Sequence, residues 1–554
     1  ALDRLQAAVP GIESVSLVVS WFGSDLRAGE CLIRPGVEIA SKMTTPISWE
    51  VSGISRGQAY LVSRIDGRPA YGGTPADMAV VQAIQECKAR GLRVTFYPFI
   101  MMDISPGNSL PNPYSDNASA TGQPVYPWRG RITCSPAPGY AGTVDKTAAA
   151  ATQVDGFFGN ATVDDFTVDM RVDVFQGFMN IIARMSDLAG SGGGNKSFAK
   201  FLMELMGLSP SDGFFIERTS IKFQGPSNDW GYRRMVLHYA FLCASAGGVD
   251  SFIIGSEMRG LTQIRSGAGT YPAVTQLISL ADDVRLVLGD DVKISYAADW
   301  SEYFGHQPSD GSGDVYFHLD PLWASPNIDF VGIDNYMPLS DWRDGFEHAD
   351  AGEFESIYQR EYLQANIEGG EGFDWYYASS ADRAAQIRTP ITDGAAGKPW
   401  VFRYKDLRSW WSNQHFNRPG GVESASPTEW VPESKPIRFT EFGCPAVDRG
   451  TNQPNVFHDP KSAESFVPYF SRGWRDDAIQ RAYIEAVLLY WRDGANNPVS
   501  SVYSGRMIDV DECAVWTWDA RPYPWFPALE NVWSDGPNWR LGHWLPGRLG
   551  SVSL

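Results

Sequence analysis

The feature that most constrains this chain is a recurring alternation. Short, continuous apolar runs rich in β-branched and aromatic residues are separated by helix-periodic stretches or long polar insertions. Six such runs stand out, near residues 14–21, 93–102, 250–255, 292–300, 326–338 and 435–445. A run that is apolar at nearly every position suits a strand covered on both faces, and parallel strands joined by helices supply that cover. Between the first two runs, Thr74-Pro75 reads as a helix start, with Thr as N-cap, Pro at the first helical position, Met78, Val81, Ile84 and Cys87 at helical spacing, and Gly91 as the stop. The same logic recurs over 230–246, closed by Gly247-Gly248, over 274–288, closed by Gly289, and over 475–491. No Gly-rich phosphate turn follows the first run. The alternation therefore predicts an α/β fold, a (β/α)8 TIM barrel with long loop insertions, and not an open doubly wound sheet.

A seventh strand is expected near residue 514, within 513–522, and no eighth is evident. Either the strand-like piece at 59–63 completes the barrel or the first strand lies upstream of Ala1. One barrel accounts for all 554 residues as a single domain if three insertions are allowed, at about 24–72, 104–165 and 340–434, with a Trp- and Pro-rich tail at 523–554. The first insertion reads as an elaborated loop or small β unit. The second is rich in Pro, Gly, Asn and Ser, and the third carries Trp342, Trp375, Tyr376, Tyr377, Trp410 and Trp411. Helical runs at 175–189 and 197–206 flank the flexible joint Ser191-Gly-Gly-Gly194. The abrupt ends at Ala1 and Leu554 suggest a fragment of a longer chain.

Charge narrows the partners. With 46 Lys and Arg against 65 Asp and Glu the formal charge is −19, which repels a phosphate backbone, so nucleic acid is not an expected ligand. No apolar window is long enough to cross a bilayer, and no basic-then-apolar leader opens the sequence, so the chain is expected to be made in the cytoplasm, without membrane insertion. Six scattered cysteines without a CxxC pair exclude zinc-ribbon and thioredoxin-like readings and leave disulfides or free thiols open. Neither the histidines, which lack HExxH spacing, nor the Asp310-Gly-Ser-Gly-Asp314 turn makes a metal motif, so no cofactor and no metal are expected.

The chemistry is expected where strands end. Glu257, in Gly255-Ser-Glu-Met-Arg259, and Glu441, in Arg438-Phe-Thr-Glu-Phe-Gly443, each stand where a strand meets a loop, the place a barrel keeps its catalytic groups. Two carboxyl groups across a barrel mouth suit glycoside hydrolysis, in which one attacks the anomeric carbon and the other protonates the leaving oxygen. The alternative is that each Glu caps a helix or pairs with a neighbouring arginine, Arg259 or Arg438. Around them, Trp516, Trp518 and Trp21 are candidate sugar platforms or core packing. Asp299, Asp334, Asp519 and Arg521 are candidate hydroxyl binders or partners of one another, with Tyr97 and Asp103 further along the early strand end.

These motifs also carry a resemblance. Gly255-Ser-Glu-Met-Arg259 resembles the fourth-strand acid/base motif of clan A glycoside hydrolases, Thr440-Glu-Phe-Gly443 their seventh-strand nucleophile motif, and Gly332-Ile-Asp-Asn-Tyr336 their sixth strand. Together with Val15-Ser-Leu-Val-Val-Ser-Trp-Phe-Gly23 and Phe96-Tyr-Pro-Phe-Ile-Met-Met-Asp103, they resemble, over nearly the whole chain, the TIM-barrel domain of gene transfer agent and phage-like tail proteins of the baseplate hub type. The resemblance implies a retaining glycosidase with Glu257 as acid/base, Glu441 as ionised nucleophile and Tyr336 orienting it. It further implies a bacterial surface or capsular polysaccharide or oligosaccharide as substrate, other tail and baseplate proteins as partners, and action outside the cell on a tail-like particle. The alternative is an inactive barrel serving as hub or glycan-binding module. Ser256 stands where these enzymes usually have an Asn that contacts the sugar 2-hydroxyl, and that contact is left unassigned.

Overall fold

The structure, a computed structural model, describes residues 2–174 and 215–518 except 45, 46, 66, 458 and 460, together with residue 528. The six apolar runs form one sheet of parallel strands: β1 (Ser14–Gly23), β2 (Arg93–Met102), β5 (Ser251–Ser256), β6 (Lys293–Asp299), β7 (Val331–Asn335) and β8 (Ile437–Phe442). Their order across the sheet is β8-β7-β6-β5-β2-β1, so each new strand adds to the same side, as consecutive right-handed crossovers require. Every residue of β5 and β7 is buried, which is why neither shows polar alternation in the sequence.

A seventh segment runs parallel beside β8. Ile508 and Val515 bridge to Ile437 and Phe442, and the Ala514 amide donates to the Phe439 carbonyl at 2.8 Å. The sheet is curled, because Phe99 on β2 stacks on Trp516 of that last segment with ring centroids 6.0 Å apart. Tyr97, Phe99, Ile253, Ala297 and Phe330 form a separate buried cluster, joined by Val18, Met101 and Trp516, which is the filled interior of a barrel. A larger core lies outside it, between the strands and the helices at Asp77–Ala89, Tyr232–Ser245, Pro272–Leu288 and Asp477–Arg492.

Several expectations are corrected. The piece at 59–63 does not complete the barrel, because Tyr60-Leu61 pairs only with Gly36-Val37 in a small sheet of its own. The helix expected from Thr74 begins at Asp77, with Ala76 at the cap, while the Thr74 hydroxyl donates to the Ser20 carbonyl at 2.8 Å and accepts from the Gly36 amide, tying the insertion to β1. The second insertion is not all loop, since Ala148–Phe158 is helical. Just after it, β3 (Phe166–Val174) and β4 (Phe215–Phe223) pair antiparallel as a two-stranded ribbon. The expected helices at 175–189 and 197–206 lie outside the described residues, as does the tail at 523–554 apart from residue 528. In the third insertion Trp342, Trp410 and Trp411 are buried, so these rings build a local core and are not exposed platforms. All six cysteines are free. Among the described residues no helix is long and apolar enough to cross a membrane.

Candidate functional site at the barrel mouth

Strand register sets out the site. Asp299 on β6 pairs with Asp334 on β7, and Asp334 pairs with Glu441 on β8, so three carboxyl groups stand side by side at the C-terminal strand ends. The register shifts at both irregular points that matter, between Ile253 and Ser256 on β5 and between Ile333 and Asp334 on β7. Such shifts re-aim side chains at a barrel rim. Glu257 follows immediately in the left-handed region, with φ 47°, a conformation a glutamate adopts only when its surroundings impose it. Its amide donates to the Ala297 carbonyl at 2.8 Å, and the next amide, of Met258, donates to the Tyr296 hydroxyl. Tyr296 in turn donates to the fully buried Glu302, which also accepts from Thr262. Burial pushes the Glu302 carboxyl up to about 8, so it is neutral at pH 7 and serves to brace the turn.

Glu257, Asp334 and Glu441 bring one carboxyl oxygen each to within 4.8 Å of one another. The Tyr336 hydroxyl donates to Glu441 Oε2 at 2.6 Å, the contact expected of an orienting tyrosine, and Glu441 Oε1 is buried without a hydrogen-bond partner. Asp334 accepts from the Tyr97 hydroxyl at 2.9 Å and the Thr440 hydroxyl at 2.7 Å. Two further residues, not foreseen from the sequence, come from the second insertion. Trp128 Nε1 donates to Glu257 Oε2 at 2.7 Å, and Arg129 Nη2 lies 2.9 Å from that same oxygen. The Arg129 Nε donates to the Ser256 carbonyl and hydroxyl at 2.9 and 3.0 Å, and its guanidinium lies over the Phe99 ring. The small Ser256 hydroxyl accepts this bond. The only sequence signal was a Trp-Arg pair in Tyr126-Pro-Trp-Arg-Gly-Arg131, inside a stretch otherwise rich in small and polar residues.

The electrostatics follow from three close carboxyl groups and one buried guanidinium. Burial, then the charges of Glu441 and Glu257, raise Asp334 well above the usual carboxylate range. Burial and the Glu257 charge lift Glu441 to about 8, against the pull of Arg129 and Tyr336. Asp299, buried and near Glu257, rises to about 6. Arg129 and Trp128 thus fasten on Glu257, while burial and the Glu257 charge hold Glu441 above the usual carboxylate range. Three oxygens this close are also a donor set that could hold a cation, with the Arg129 guanidinium beside them.

Other expected site residues divide. Trp516 is half-buried against Phe99, and Trp518 is 45% exposed at the end of the same segment. Trp21 is not a platform: it is wholly buried, donating from Nε1 to the Tyr239 hydroxyl on the helix side of β1. Asp334 and Tyr97 are buried beside the pair and hydrogen-bonded to one another. Asp299 is buried and accepts from Ser301. Asp103 ties the first insertion down through Tyr60 and Ser63. Arg438 pairs with Asp509 and not with Glu441. Asp310 pairs with Lys146 and Arg265. Asp519 and Arg521 lie outside the described residues.

Residues 230–527 match the family model of the GTA TIM-barrel-like domain. This is a TIM barrel, and the chain belongs to that family. The match takes in β5 to β8 and both glutamates, whereas the early motifs at 15–23 and 96–103 fall outside it. No curated protein matches the chain. Solved structures similar to it include a GH113 β-1,4-mannanase in a complex, at 11% identity and TM-score 0.33, covering 93% of this chain and 81% of that one. Another is a GH113 β-mannanase from Alicyclobacillus acidocaldarius, at 13% identity and TM-score 0.31, covering 86% and 79%.

Proposed function

We propose that the protein is a retaining glycoside hydrolase acting on a bacterial cell-surface or capsular polysaccharide, within a gene-transfer-agent or phage-like tail particle. One observation carries the reading: Glu257 and Glu441, on strands that are not neighbours, bring carboxyl oxygens within 4.8 Å at the barrel mouth. Retention needs carboxyl groups about 5–5.5 Å apart, whereas inversion needs about 6.5–9.5 Å to admit a water. In the proposed cycle Glu441, oriented by Tyr336, attacks the anomeric carbon while Glu257 gives its proton to the departing glycosidic oxygen. The leaving group departs with that proton, and water then cleaves the glycosyl ester, giving one of its own protons to Glu257 and its oxygen to the anomeric carbon, so that Glu441 leaves as a carboxylate. The working complex thus has the proton on Glu257 and the charge on Glu441.

A second reading, a barrel acting only as hub or glycan-binding module, is favoured by the hold of Arg129 and Trp128 on Glu257, which occupies its Oε2. A screen of capsular, lipopolysaccharide and peptidoglycan glycans for new reducing ends separates the two. On the first reading the wild type cuts one class with retained anomeric configuration, and Glu257→Gln and Glu441→Gln are each slower by about 10³-fold. If the wild type cuts nothing, or Glu441→Gln cuts equally well, the second reading stands.

A further inference from the structure

We infer that Arg129 and Trp128 are the positioning residues of Glu257: they hold its carboxyl group by Oε2 and so decide which of the two glutamates carries their shared proton. The inference deepens the proposed function and rests on it only for its catalytic meaning. Both residues converge on one oxygen, the Arg129 Nη2 as an ion pair at 2.9 Å and the Trp128 Nε1 as a hydrogen-bond donor at 2.7 Å. Among the described residues no donor takes Oε1, which is left for a reacting oxygen. Arg129 is itself fixed, buried to 5% exposure, anchored through Nε to Ser256 on the strand that delivers Glu257, and laid 3.6 Å over the Phe99 ring. A guanidinium at that distance in a buried site favours the charged form of its partner, and an indole N–H adds a second donor to the same charge.

Glu441 has the opposite surroundings, with no guanidinium among the described residues in contact, the Tyr336 hydroxyl on Oε2, and Oε1 buried and left unpartnered. The other groups facing Glu257 do not undo this. Glu441 on β8, Asp334 on β7 and Asp299 on β6 oppose its charge, Tyr97 and Tyr336 are neutral, and Arg259 adds a second positive charge from the following turn. With Arg129 in contact the proton therefore rests on the Glu441 side. Releasing the Arg129 contact is what lets Glu257 take up the proton that an acid catalyst delivers.

The test is a titration that needs no substrate. The full chain, labelled with carboxyl-13C glutamate, is followed by NMR across pH, with Glu257 and Glu441 assigned from the Glu257→Gln and Glu441→Gln spectra. In Arg129→Met the Glu257 midpoint should rise by at least one pH unit over wild type. In Arg129→Lys, which restores the charge, it should stay within about half a unit, and in Trp128→Phe it should rise by a smaller step. An unchanged midpoint in Arg129→Met, or an equal shift in Arg129→Lys, overturns the inference. If Arg129→Met does not fold, Trp128→Phe decides, and an unmoved Glu257 midpoint there overturns it. An inactive barrel would leave these results standing, so failure of the hydrolase reading is distinguishable from failure of this one.

Discussion

At the scale of single residues, the site is a problem of where charge is tolerated. Glu441 is 5% exposed and lifted to about 8 by burial and by the charge of Glu257. A carboxyl group whose folded value lies above its ordinary 4.5 binds its proton more tightly in the folded state, so its contribution to stability is complete below about pH 4.5 and is lost as pH rises through 8. Glu441→Gln keeps the shape and a Tyr336 acceptor but removes the titration. The variant should match the wild type near pH 5 and be more stable by about 1 to 4 kcal/mol at pH 9. Thermal unfolding at pH 5, 7 and 9 checks it, and a difference that does not grow with pH would sink the assignment. Glu257, Glu441 and Tyr336 were legible in the sequence because a polar residue ending an apolar run has few other places to be. Trp21 was left between platform and core packing because a largely apolar run does not say which side chain faces inward. Val18 lines the barrel interior, so Trp21, three positions on, points to the helices. Arg129 and Trp128 were not legible, because a loop residue is placed by contacts far away in the chain.

Among the elements, the six strands were legible for the same reason that they are buried: parallel strands under helices leave no polar alternation to confuse the pattern. The ribbon of β3 and β4 was not, because its two arms pair across a long stretch of sequence and share no turn signal. The helix at Ala148–Phe158 opens with an alanine run, which carries no apolar stripe against which to read a period. What joins the second insertion to the site is a close backbone contact. Gly260, in the turn after Glu257, approaches the chain at 130–132 so tightly that a β-carbon would lie 2.6 Å from the Ile132 carbonyl oxygen and 2.7 Å from that of Gly130. Backbone cannot swing aside as a side chain can. Gly260→Ala should therefore push the Trp128–Arg129 segment off Glu257, cost about 1–3 kcal/mol in denaturant melts, and raise the Glu257 titration midpoint as Arg129→Met does. A variant of wild-type stability with an unmoved midpoint would show that the two elements are not coupled by this contact.

Over the whole molecule, insertions make up much of the chain, and a barrel with loops this long needs something other than strand pairing to hold them over its mouth. Arg265, 2% exposed by side chain, does so for the second, tying it to two shorter loops. Its guanidinium meets Asp145 at 2.6 Å and Asp310 at 3.0 Å, while its carbonyl accepts from the Lys146 amide and the Lys146 ammonium reaches Asp310 at 2.7 Å. The second insertion, the stretch after Glu257 and the loop after β6 are joined in that one network. An exposed pair would contribute little, but here Asp145 is buried with the arginine, and removing one partner strands a desolvated charge. Arg265→Met should accordingly lose about 3–5 kcal/mol. The effect should show as a lower denaturation midpoint and as new proteolytic cuts near 140–147 and 305–315, with the strands still protected. The double variant Arg265→Met with Asp145→Asn should recover part of the loss, because the stranded charge is gone. Equal losses in the single and double variants would mean that the network holds the loops by shape and not by charge.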